Sequence, residues 1–298
     1  MSLSKIFQTK ISSIKTRIKI DEVILFRKLI ESLVSCTHSY ELHGSKGQVK
    51  FNNPANCSSS QVDIQCELCD VAIVSFNEIE VRITFLQAKK GNDKYTPLGH
   101  NLSLPVRQHY LLSSFPIIAP VGKAVKLYPK NTLSNKILDS IGSFGVFYKK
   151  GKTYDMDYQI ANLRNSKTII PNFKYCSNQA SKYDFIGTKN RVKSITISGL
   201  AYNEVEGCDN LDSFEIYIRD MLIGDPINAS NPLLLSVILK IVKSEPMESL
   251  MNSEILSNFI QYFGGKTINY DSNKKNNRIS SIHPFRTPII LIDNTKKQ

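Results

Sequence analysis

Residues 67–90 read Glu67-Leu68-Cys69-Asp70-Val71-Ala72-Ile73-Val74-Ser75-Phe76-Asn77-Glu78-Ile79-Glu80-Val81-Arg82-Ile83-Thr84-Phe85-Leu86-Gln87-Ala88-Lys89-Lys90. Two apolar runs flank the polar break Asn77-Glu78-Ile79-Glu80. Asp70 opens the first run, and Gln87 and Lys89 close the second. Burying such groups without partners costs several kcal/mol, so their positions need a reason. Pairing geometry gives one. An antiparallel hairpin centred between Glu78 and Ile79 sets Phe76 opposite Val81 and Asp70 opposite Gln87. Residues so paired point to one side of a sheet, with Cβ atoms roughly 4.5–5.5 Å apart. Lys89, two residues beyond Gln87, shares that side. An even-length turn keeps this register, whereas an odd one shifts it and scatters the group. The stretch therefore predicts an acid, an amide and an amine meeting at one strand end.

The remainder of the chain is that of a globular protein. Its 298 residues are 41% hydrophobic and 21% charged, enough for a core without disulfide or metal staples. Basic residues outnumber acidic ones 38 to 26, a net charge of +12 that points to a polyanionic partner. The six cysteines form no secreted-type framework. The N-terminus mixes lysines with apolar residues, unlike a signal peptide. The longest apolar run, Leu233 to Val242, contains Lys240 and is too short to span a bilayer. A cytoplasmic protein without membrane contact is expected.

Residues 1–20 carry apolar positions at helical spacing with a basic face. Asp21 can cap a second helix to about Ser35, read with Val23, Phe26, Ile30, Leu33 and Val34 as its stripe and Glu31 beside it. A short strand is expected at Gln48 to Phe51, a loop over Gly91 to Gly99, and a helix from Leu104 to Ser114 carrying Arg107, Gln108, His109 and Tyr110. One or two strands are expected within Phe115 to Leu127, and another over Gly145 to Tyr148. Residues 152–185 show no clear period. Val192 to Gly199 reads as a strand, and Ser213 to Leu222, Pro232 to Val242 and Ser253 to Phe263 as helices. The last stretch is a basic, Asn-rich loop with a short apolar run, Ile289 to Ile292. The expected fold class is α/β, a central mixed sheet flanked by helices with a C-terminal, mainly helical elaboration. Residues 1–150 form the core and 151–298 pack on it as part of one domain.

Helix, strand, a hairpin with Asp70 then Gln87-Ala88-Lys89, and a helix containing Gln108 together resemble the PD-(D/E)xK nuclease superfamily over residues 20–125. The Gln-x-Lys form resembles the RecB-like and Holliday-junction branches. The resemblance implies a restriction-endonuclease-like core and a Mg²⁺- or Mn²⁺-dependent hydrolase of phosphodiester bonds, chiefly in DNA. It also implies that Asp70, Gln87 and the Ala88 carbonyl hold the metal, that Lys89 orients or activates the attacking water, and that Gln108 touches the site or the DNA backbone. Gln87 stands where most members carry an acid. The missing charge calls for another carboxylate, with Glu31 the first candidate and Glu67 and Asp63 weaker ones. Restriction or phage defence is the implied setting, as a monomer, a homodimer or a subunit of a larger complex.

Other readings fare less well. Gly44-Ser45-Lys46-Gly47 lacks the spacing of a phosphate loop. Cys66 and Cys69, with Cys57, His38 and His43, are irregularly spaced for zinc. No nucleophile elbow is present. A nuclease-fold module that binds nucleic acid or a protein without cutting stays open, as does a plain buried ion pair of Asp70 with Lys89. The lysines around 123–136, 149–152 and 189–193 are candidates for a DNA-tracking surface.

Overall fold

The computed structural model describes residues 1–14, 18–37, 39–42, 48–51, 64–91, 100–121, 132, 136–161, 180–185, 190–197, 199–244, 254–265 and 288–295. Helices α1 (Leu3–Ser12) and α2 (Glu22–Cys36) come first. Strands β1 (Ser39–Leu42), β2 (Gln48–Phe51), β3 (Ile64–Glu67), β4 (Val71–Phe76), β5 (Val81–Lys90) and β6 (His100–Pro105) lead to α3 (Val106–Ser114) and β7 (Ile118–Pro120). Then come β8 (Gly142–Lys150), β9 (Thr153–Ile160), β10 (Ala180–Phe185), β11 (Val192–Ile197), β12 (Leu200–Val205) and β13 (Gly207–Cys208). The chain finishes with α4 (Leu211–Arg219), β14 (Asp225–Pro226), α5 (Ile227–Ser230), α6 (Pro232–Ser244), α7 (Glu254–Phe263) and β15 (Ile289–Asp293). Among the described residues, no helix is long and apolar enough to cross a membrane.

The principal sheet is mixed, in the order β1-β15-β4-β5-β8-β9-β13, with β14 also pairing β5. The β4–β5 hairpin lies near its middle, and its register is the expected one, with Phe76 opposite Val81 and Val71 opposite Leu86. The turn holds because Asn77 Oδ1 accepts from the amides of Ile79 and Glu80 at 2.9 and 2.8 Å, a local side-chain bond that favours the bend. β15 runs parallel beside β4 and β8 parallel beside β5, while the short β14 pairs the first part of β5 antiparallel. Helices cover both faces. On one, Leu111 and Leu112 of α3, Leu234 and Ile238 of α6 and Phe259 of α7 pack on Ala72, Val74, Ile83 and Phe85. On the other, Phe7 of α1, Leu25 and Leu29 of α2 and Phe214 of α4 pack on Val71, Ile73, Leu86 and Ala88. All six residues of β4 and the first eight of β5 are buried, as central strands covered on both faces must be.

Several expectations change. The run around Asp70 is not one strand. Ile64–Glu67 belongs to a separate sheet, β3-β2-β7, and the chain turns over Leu68–Asp70 before β4 begins, which leaves Asp70 at a strand entrance. Residues 153–160, read as lacking a period, form β9. The second half of the chain is no helical appendage, because it supplies β9, β13, β14 and β15 to the principal sheet. Ile289–Asp293 lies inside that sheet, between β1 and β4. The helix α2 buries Leu25, Leu29, Ile30, Ser32 and Leu33, while Val23 and Val34, read as part of its stripe, are 51% and 37% exposed. The expected loop beyond Gly91, the strand beyond Val121, and His38, His43, Cys57, Asp63, Lys123, Lys126, Lys130 and Lys189 lie outside the described residues.

One close approach fixes α3 on the sheet. Gly142, at the start of β8, lies under the α3 backbone, where an added Cβ would stand 2.1 Å from the Leu112 carbonyl oxygen. Gly142→Ala must therefore displace the helix, and overpacking of this kind costs about 1–3 kcal/mol. Thermal unfolding should show the loss as a lowered midpoint.

Candidate active site

β5 outruns its partner. Its last pair with β4 is Leu86 with Val71, after which the Asp70 amide still donates to the Leu86 carbonyl at 3.1 Å. In a strand, alternate residues present N–H and C=O to the same edge, so Ala88 and Lys90 face the side that β4 has left. On the other edge β8 continues alongside, opposite Phe85 through Lys90. Two carboxylates fill the open edge. The Ala88 amide donates to Asp70 Oδ2 at 2.8 Å, and the Lys90 amide donates to Glu22 Oε2 at 3.0 Å. The Ala88 carbonyl lies on that edge between the two amides, which are one strand repeat, about 7 Å, apart.

Asp70 and Gln87 meet as their register requires. Gln87 Nε2 donates to Asp70 Oδ2, and Gln108 Nε2, from α3, donates to Gln87 Oε1, each at 2.5 Å. Gln87 is 3% exposed and Gln108 6%, so the two amides form a buried chain ending on the acid. The Gln87 oxygen, expected as a metal ligand, accepts from Gln108, while its NH₂ holds Asp70. Gln108 joins the group as expected, through Gln87. Asp70 Oδ1 accepts no hydrogen bond among the described residues.

Lys89 reaches the N-terminus of α2, where its Nζ is 3.4 Å from Glu22 Oε1. The Lys89 side chain is 16% exposed and that of Glu22 39%, so solvent screens the pair and its contribution to stability is small. Its value is positional. Glu31 is elsewhere: its carboxylate pairs with Lys28 at 2.8 Å and is 45% exposed. Nine residues separate it from Glu22, and at 3.6 residues per turn that is half a rotation. The carboxylate from the N-terminal helix that meets the hairpin is Glu22, in the first turn behind the Asp21 cap, which accepts from the Ile24 amide at 2.9 Å.

Burial pushes the Asp70 carboxyl up to about 6; the Ala88 amide and the Lys89 ammonium oppose the rise, and Glu67 and Glu22 add to it. Glu67, at the end of β3, thus acts through its field. His109, next to Gln108, is 2% exposed and stacks on Phe144 at 6.2 Å. Burial pulls its imidazole down to about 4, so it is neutral at physiological pH.

No family model, curated protein or solved structure matches the chain. Among the described residues, no three His, Cys, Asp or Glu side chains converge to hold a metal ion. The strand end instead offers two carboxylates and a backbone carbonyl. An all-oxygen set of this size fits a hard divalent cation that keeps several of its waters.

Between the ordinary carboxyl value near 4 and about 6, folded Asp70 keeps a proton that the unfolded chain releases. Its contribution therefore favours folding at low pH and is lost as pH rises through that window. Asp70→Asn, which cannot ionise, should raise the unfolding midpoint at pH 8 by a few degrees over wild type. The gain should shrink to nothing near pH 4, and calorimetric midpoints across that range check it.

Proposed function

We propose that the chain is a metal-dependent nuclease of the PD-(D/E)xK type, hydrolysing phosphodiester bonds in DNA. One arrangement carries the reading: Asp70 and Glu22 meet successive amides on the open edge of β5, with the Ala88 carbonyl between them and Lys89 alongside. A mixed sheet with this hairpin at its centre and helices on both faces agrees with a restriction-endonuclease-like core. The +12 net charge suits a phosphate polymer.

Mg²⁺ or Mn²⁺ would be held by Asp70, Glu22 and the Ala88 carbonyl, and when bound would acidify a water and offset charge on the phosphate. The chain supplies the rest. Gln108 fixes Gln87, and Gln87 with the Ala88 amide fixes the Asp70 carboxylate in one rotamer, so a charge that burial resists is aimed before substrate arrives. Lys89 brings a cation to the phosphate oxygens and a donor for the attacking water, while Glu22 holds its ammonium at the strand end. Gln87 and Gln108 are positioning residues. An enzyme of this size fits restriction or phage defence, alone, as a homodimer or in a larger complex.

Plasmid and single-stranded DNA incubated with Mg²⁺ or Mn²⁺ test the proposal. Asp70→Ala and Lys89→Ala should each cut cleavage by about a hundredfold or more, the scale on which loss of one electrostatic partner acts. Glu22→Gln should raise the metal concentration required, and Glu31→Gln should change nothing. Cleavage that survives loss of both Asp70 and Lys89 sinks the assignment.

A second reading rests on the Gln87 amide, both ends of which are engaged within the protein. With one fewer oxygen to offer, the site could have become a binding module that grips nucleic acid without cutting. Absence of cleavage by pure wild type across metals and substrates, with DNA binding retained, favours it.

A further inference from the structure

The open end of β5 has a wall on one side. β5 and β8 run parallel, with Lys89 opposite Val146, so both strands finish at the same end of the sheet. β8 continues past that level to Lys150, turns, and returns as β9, with Lys150 paired to Thr153. The overhang puts Lys149 and Lys150 three and four residues beyond Lys89, about 10–13 Å at the rise of a strand. Lys152 stands in the turn.

The turn is tight. Gly151, at φ +64°, takes its first central position, where a two-residue hairpin of the type II′ kind needs glycine. Thr153 Oγ1 donates to the Lys150 carbonyl at 2.8 Å. Three cations are thus carried on a short, hydrogen-bonded ladder. Lys149, Gly151 and Lys152 are exposed, and the Lys150 side chain is 65% exposed, 4.0 Å from Asp155. An ion pair so exposed and so long holds its lysine weakly. By alternation Lys150 projects on the face that carries Gln87 and Lys89, and Lys149 on the face that carries Lys90. There the Lys90 ammonium lies 5.9 Å from the centre of the Tyr154 ring.

We infer that the β8–β9 hairpin is a prong that grips the DNA backbone beside the cleavage site, through Lys149, Lys150 and Lys152. The inference rests on the nuclease reading for the identity of the polyanion. At one phosphate per strand every ~3.4 Å of duplex, the prong meets the backbone three to four nucleotides from the phosphate at Lys89. Substrates lacking that flank forgo its contacts.

Fluorescence anisotropy of a labelled 30-base-pair duplex, titrated in Ca²⁺ buffer from 50 to 200 mM KCl, tests the prong without requiring cleavage. The joint variant Lys149→Ala, Lys150→Ala, Lys152→Ala should lower the slope of log affinity against log salt by about 1 for each lysine that holds a phosphate. A control with the same loss of charge, Lys28→Ala, Lys240→Ala, Lys243→Ala, should lower it by less than about 1 in total. The single variant Lys152→Ala, in the turn, should show about one third of the joint effect and guards against a folding defect. An unchanged slope, an equal fall in the control, or no duplex binding by wild type overturns the inference. Normal cleavage with an unchanged slope removes the prong alone. A prong effect without any cleavage counts against the nuclease reading alone.

Discussion

A strand that is longer than its neighbour must find partners for the amides it leaves over. Within a protein an N–H without an acceptor costs about as much as a lost hydrogen bond, and β5 leaves two such groups, at Ala88 and Lys90, where β4 has ended. Both are answered by carboxylates, one from the bend before β4 and one from the first turn of α2. Negative charge thus collects at this strand end for a backbone reason. Helix α2 is held there by Leu25 and Leu29 against Val71 and Leu86, so the packing that covers the sheet also delivers Glu22. The core and the site are parts of one arrangement.

The same constraint explains why an amide suits position 87. Asp70 is already resisted by burial and by the fields of two further acids. A third carboxylate, opposite it on one face, would add like-charge repulsion at close range. Gln87 instead donates to Asp70 and passes its own requirement for a donor to Gln108. The second charge comes from the helix, where the Glu22 side chain is 39% exposed.

The hairpin was legible because strand alternation and an even turn determine which residues face each other, and neither depends on distant parts of the chain. The helix was harder. Glu22 to Val34 is apolar on nearly every side, so more than one stripe can be drawn. The stripe through Val23 and Val34 has Glu31 beside it, while the packed one through Leu25, Leu29 and Leu33 starts at Glu22. The signal for Glu22 was its place one turn before Leu25 and directly behind a capping aspartate. In β9 the alternation of Tyr154, Met156, Tyr158 and Ile160 against Asp155, Asp157 and Gln159 was present. Tyrosines counted as polar hid it, and Asp157 and Gln159 are themselves buried. A run as short as Ile289–Asp293 has no period to read, and only long-range pairing shows its place.

That last strand has a consequence for how the molecule comes into being. β15 is made some 200 residues after β4, yet it is the strand that pairs β4 on the side away from β5 and joins it to β1. Until residue 293 is available, β4 is a bare edge, able to pair with any extended segment it meets. The sheet therefore closes through a contact of very long sequence separation, and folding waits on loop closure. A chain cut before residue 289 lacks the support behind Asp70, so assembly of the strand end that bears the acid waits on Ile289–Asp293.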